Sequence, residues 1–111
     1  MTPEKVILKC ENVQYGSLVF AAPVHELVLT NHKLVLNENN FWGGSKKEHT
    51  FMINEIKSHE GNTLISISDK LGLETLEIYF GSEPTLFGFL EKGEAQIFAN
   101  EINALVAANI D

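Results

Sequence analysis

Two groups of residues in this chain have the types and spacing to do work at a surface. In the segment NNFWGGSKK, Phe41 and Trp42 precede a Gly-Gly pair and then Lys46 and Lys47. Two large rings followed by two cations can enter a membrane interface while the ammonium groups meet anionic headgroups. The same rings, if exposed, suit the anchor of a protein interface, where aromatic side chains are enriched. The plainer reading packs both rings back on the body of the protein and leaves the lysines to keep the loop solvated. The second group is His32 and Lys33, in the turn of LTNHKLVL. They are placed to meet a phosphate, although a His and a Lys in a turn are most often simply solvated.

Catalytic and metal chemistry find no comparable pattern. Ser45, Ser58, Ser66, Ser68 and Ser82 sit in no G-x-S-x-G elbow. Neither GNTLIS nor FWGGSKK has the full G-x-x-x-x-G-K-[ST] order of a phosphate loop. Cys10 falls in an alternating stretch and reads as a small buried hydrophobe. Of the four histidines, His25 and His32 lie across a turn and His49 and His59 are separated by a strand and a loop, with no C-x-x-C or H-x-x-x-H spacing. The expectation is a protein with no catalytic residues, no cofactor and no metal.

Charge narrows the partners further. Fifteen acidic residues against eight basic ones give a net charge of -7, which repels a phosphate backbone or an anionic bilayer unless the cations gather on one face. Nucleic acid is therefore not an expected partner. The cations that gather in the middle third are Lys33, Lys46, Lys47 and Lys57, with His32, His49 and His59. The carboxylates of Glu48, Glu55, Glu60, Glu74, Glu77, Glu91, Glu94 and Glu101 make an acidic surface, solvated or docked on a basic partner; charge balance does not separate the two. A single cysteine allows no internal disulfide, MTPEKVILKC has no continuous apolar run, and no window approaches the roughly 20 apolar residues of a spanning helix. These point to a cytoplasmic protein.

The elements that must position such residues can be read from periodicity. At 111 residues, 44% hydrophobic and 21% charged, the chain fits one globular domain over 1–111. Val6 to Glu11 alternate as a strand. In NVQYGSLVFAAPV, Gly16-Ser17 predicts a turn, and a return strand ends at Pro23. HELVLTNHKLVLN predicts a hairpin with Leu27, Leu29, Leu34 and Leu36 inward and Asn31-His32 at the turn, where Asn tolerates a left-handed backbone. HTFMI is a further short strand, and NEIKSHEGN ends in a Gly-Asn turn. TLISISD and LETLEIYF make a second hairpin about KLGL. In GSEPTLFGFLEKG, Pro84 with Gly81, Gly88 and Gly93 predicts no regular continuation, though Leu86, Phe87, Phe89 and Leu90 must pack somewhere. In EAQIFANEINALVAANI the period changes, and Ala95, Phe98, Ala99, Ile102, Leu105 and Val106 mark one face of an amphipathic helix. The expected fold is mainly β (α+β): about seven antiparallel strands as a bent sheet or partly open barrel, capped by a C-terminal amphipathic helix.

Two stretches resemble a known family. LVLTNHKLVL, residues 27–36, resembles the (L)xLTNxRLxL hairpin of the pleckstrin-homology-like (PH-like) superfold, and within it the bacterial PH-like and GRAM-type domains. FMINEIKSHE, residues 51–60, is similar to that family's IPLSDIxSV strand. The likeness covers roughly residues 20–80 by motif and continues to the end by element order. It implies that LTNHKLVL is mainly architecture, and that the chain is a non-enzymatic interaction module binding a protein partner or its own copies. The surfaces offered would be a sheet edge, the Phe41-Trp42 loop or the segment 81–93. Peripheral binding of anionic lipid through Phe41, Trp42, Lys46 and Lys47 is the alternative. Phosphoinositide sites on PH-like domains draw two or more cations from the loop after the first strand, and here ENVQYGS offers none. GSEPTLFGFLEKG is longer than the short link such domains place before their final helix.

Overall fold

The computed structural model describes residues 3–16, 24–38, 47–70 and 72–108. Nine strands and one helix follow one another: β1 Val6–Tyr15, β2 His25–Thr30, β3 Lys33–Asn37, β4 Glu48–Met52, β5 Ser58–His59, β6 Asn62–Thr63, β7 Ile65–Lys70, β8 Leu73–Tyr79, β9 Pro84–Phe89 and α1 Glu94–Ala108. A 3-10 turn, Ile53–Glu55, separates β4 from β5. Seven strands form one antiparallel sheet in the order β4-β3-β2-β1-β9-β8-β7, and β5 and β6 form a separate ribbon. The sheet is bent and not closed: among the described residues no pairing joins β4 to β7. Instead Phe51 and Phe80 stack across the opening at 5.0 Å. The connecting segment is tied down by Ile53 N–H donating to the His32 carbonyl and Lys57 N–H to the Tyr79 carbonyl.

The β2–β3 hairpin forms as its alternation requires. Leu27, Leu29, Leu34 and Leu36 are all fully buried, and Leu27 pairs with Leu36 and Leu29 with Leu34. The turn uses different chemistry from that expected. Glu60 is the only described non-glycine residue with positive φ, so Asn31 is not left-handed. The Thr30 hydroxyl accepts from the His32 and Lys33 N–H groups, and the Asn31 side chain clasps the N-terminal segment, accepting from Lys5 N–H at 2.8 Å and donating to the Pro3 carbonyl. The left-handed hairpin turn lies instead between β5 and β6, at Glu60 (φ 52°) and Gly61 (φ 82°), one residue before the expected Gly-Asn centre.

Three other expectations are corrected. First, β1 does not end at Glu11 but runs to Tyr15 through irregularities between Val6 and Leu8 and between Cys10 and Val13. The second shifts the phase, so Cys10 and Val13 both enter the core although three positions apart, and simple alternation is lost. Gly16 ends the strand with φ 78°; the return strand expected after it falls on residues 17–23, outside the described residues.

Second, GSEPTLFGFLEKG contains β9, a central strand between β1 and β8. Pro84 is its first residue, opposite Tyr79, where the missing N–H costs little. Gly88 stands opposite both Gln14 and Thr75, flanked by the buried rings of Phe87 and Phe89. Third, the link from β9 to α1 is therefore only Leu90 to Gly93, and the apparent departure from the family's short link disappears.

The helix follows its sequence pattern. Ala95, Phe98, Ala99 and Ile102 are buried, with Leu105 and Val106 partly so, and the helix lies over β7, β8, β9 and the 3-10 turn. Phe98 meets Phe89 at 5.3 Å. One contiguous core joins the sheet and the helix, with Cys10, Ile53, Leu76 and Ile78 among its members.

Candidate functional site

Of the residues expected to form a binding site, Phe41, Trp42 and Lys46 lie outside the described residues. Lys47 is exposed just before β4, and its carbonyl accepts from Glu38 N–H at 2.8 Å, closing the base of the β3–β4 connection. His32 and Lys33 stand at the other end of β3. Lys33 pairs with Met52 in the register while Asn37 pairs with Glu48, so Lys33 and Lys47 are separated by about 15 Å of strand. Lys33 and Lys47 do not converge. The Lys33 ammonium already lies 3.6 Å from the Glu4 carboxylate, and His59 lies beside Glu60 at 3.8 Å.

The strand ends next to Lys47 carry a different constellation. His49 Nε2 and Glu38 Oε2 are 2.5 Å apart, and the Tyr15 ring lies 4.9 Å from the His49 ring. Tyr15 continues into Phe51 and Phe87, which meet edge to face. The hydrogen bond from His49 holds the Glu38 carboxyl below the usual carboxylate range, and burial, helped by the Glu38 charge, pushes the Tyr15 phenol up. A phosphate approaching this end of the sheet would meet a carboxylate. Sequence reading grouped His49 with the basic residues of the middle third; only the fold reveals its acidic neighbour.

The open edge at β7 is the second region of interest, and sequence reading did not find it. On or next to this outermost strand, Ile67 and Leu64 are each 37% exposed. The buried Ser68 hydroxyl has no hydrogen-bond partner among the described residues. Beside the strand's start lies α1, pinned by the Thr63 hydroxyl donating to Asn103 Oδ1, and a cleft of about 340 Å³ between α1 and the β5–β6 ribbon is lined by Asn62, Thr63, Asn103 and Val106 and reaches Ile65 of β7. The Ser/Ile alternation identified a strand, but nothing local marks it as an edge.

Among the described residues, no group of three or more His, Cys, Asp or Glu is placed to hold a metal ion, and no helix is long and apolar enough to cross a membrane. Burial pushes the Cys10 thiol up, away from its nucleophilic form, and the charges of Glu94, Glu91 and Glu11 add to the effect.

A bent antiparallel sheet of seven strands with a C-terminal helix laid across it is the PH-like fold. The chain is similar to the Vps36 N-terminal PH domain, with a TM-score of 0.66 and 13% sequence identity over 95% of this chain and 80% of that one. At that identity the likeness is one of fold. No family model matches the chain, and no curated protein matches its sequence.

Proposed function

We propose that the chain, one PH-like domain over 1–111, is a non-enzymatic interaction module of the cytoplasm that binds a protein partner through an extended segment added to the β7 edge. The carrying observation is that among the described residues this edge has no strand partner and is flanked by partly exposed Leu64 and Ile67. An open strand edge offers a row of N–H and C=O groups that another polypeptide can satisfy along its length, whereas a lipid headgroup cannot. Net charge supports the same choice. A protein of charge -7 whose described cations are dispersed and partly neutralised has weak long-range attraction for an anionic bilayer. The non-enzymatic part of the reading is supported by the raised Cys10 thiol and by the engagement of His49 with Glu38.

The test is selection of peptides from a displayed random library on the full chain, followed by titration against Ile67→Lys and Ser68→Pro variants. Selected peptides are expected to lose binding to both variants and to slow amide exchange over residues 65–70. Peptides that bind the variants as well as the parent would overturn the reading, as would a β7-mediated dimer that leaves no edge free. Vesicle binding that requires anionic lipid and drops on Trp42→Ala would replace it with the membrane alternative.

A further inference from the structure

Among the described residues a further strand edge is open inside the sheet. β1 pairs with β2 from Val6 onward, but it meets β9 only over Val13 to Tyr15. From Val6 to Asn12, the side of β1 facing away from β2 has no strand partner among the described residues. Beside it runs a cleft of about 440 Å³ lined by Lys9, Cys10, Glu11 and Asn12 and, opposite, by Glu91 and Glu94. Four consecutive residues of one strand line the same cleft, so it follows the strand's edge rather than either face.

The chemistry of this cleft is one-sided. Glu11, Glu91 and Glu94 contribute three carboxylates, while the Lys9 ammonium is already bound to Glu26 at 3.1 Å. All three carboxylates are close enough to raise the Cys10 thiol. Lys92, beside Glu91 in the sequence, is exposed and does not line the cleft. Apolar surface lies at the same end: Leu90 is 51% exposed and Ile97, one helical turn from Glu94, is 45% exposed. Where β9 leaves β1, Leu90 N–H still donates to the Asn12 carbonyl. A strand entering the cleft would therefore take up alongside β1 where β9 stops.

We infer that the β1–α1 cleft takes an extended basic segment of a protein partner, added as a strand along Val6 to Asn12. Its Lys or Arg side chains meet Glu11, Glu91 and Glu94, and an apolar residue covers Leu90 and Ile97. Alternation along an added strand sends every second side chain toward the carboxylates, so the recognised pattern is cationic and apolar residues in turn. A second copy of this chain is a poor occupant, because the face is acidic on a protein that is acidic overall. The surface is separate from the β7 edge, and either can fail without the other.

The experiment titrates the full chain with a synthetic alternating Lys-Val peptide, its Glu-Val counterpart, and a Lys-Val peptide N-methylated at every second residue, read by calorimetry and amide exchange. The Lys-Val peptide is expected to bind, to weaken with added salt and to slow exchange within Val6–Asn12. The Glu-Val and N-methylated peptides are expected not to bind. A Glu11→Gln, Glu91→Gln, Glu94→Gln variant, changed only at surface carboxylates, should bind about ten-fold more weakly. Ile67→Lys should leave this binding unchanged. Equal binding of the N-methylated peptide would overturn strand addition, and equal binding by the triple variant would overturn the assigned carboxylates.

Discussion

Two of the open edges among the described residues, at β7 and along the first half of β1, offer the same backbone and different side chains. Along β7 exposed Leu64 and Ile67 stand beside Asp69 and Lys70, the latter paired with Glu77 at 3.5 Å, a mixed charge; along the first half of β1 the neighbours are Glu11, Glu91 and Glu94, a single sign. Backbone pairing gives any added strand a similar gain, so side chains must decide which strand each edge accepts. Helix α1 walls both clefts, with Glu94 in its first turn at one and Asn103 and Val106 further along at the other.

That shared wall gives the largest test. Phe98, fully buried against Phe89, anchors the helix between the clefts. Phe98→Ala should cost about 3–5 kcal/mol in urea unfolding and abolish binding at both edges together. If binding at one edge survives, the helix is not the common support. Asn103→Ala should act on one side only. Losing the bond to Thr63 should cost about 1 kcal/mol or less and speed amide exchange near β6 without altering the β1 cleft. The substitution Ile67→Lys, on a half-exposed position, should change stability by about 0.5 kcal/mol or less while removing peptide binding at β7.

The smallest effect belongs to the Glu38–His49 pair, which lines neither cleft. The folded-state value of Glu38 lies below its ordinary one, so its contribution is complete above the ordinary carboxylate range. It is lost as pH falls through the lowered value. Glu38→Gln should therefore narrow the difference in urea midpoint between about pH 7 and about pH 3, leaving peptide binding untouched. An unchanged acid limb would show that the contact does not persist in solution.

Legibility followed the range of the forces involved. Leu27, Leu29, Leu34 and Leu36, and the helical stripe from Ala95 to Ile102, were readable because each alternation or repeat reports a face that must be buried. The likeness to PH-like domains, carried by LVLTNHKLVL and FMINEIKSHE, gave the right fold. β1 was cut short because an irregularity between Cys10 and Val13 moves the buried positions out of alternation. β9 was missed because Pro84 and Gly88 weigh against a strand locally, and only the partners Tyr79, Gln14 and Thr75 show why both are tolerated. The site was less legible still. His32 and Lys33 lie at the far end of β3 from Lys47, a separation set by register. Edges are properties of strand order, which short-range pattern does not contain.

The double role of β1 also bears on how the chain is made. The meander from β1 to β4 and the β7–β8 hairpin each join neighbours in sequence, yet Val13 to Tyr15 find Phe87 to Phe89 only after all the strands between them have been synthesised. Closing so long a loop is slow compared with forming either local unit. On the ribosome the two halves wait apart until β9 emerges, and until then β1 exposes the length of its unpaired edge to whatever is near.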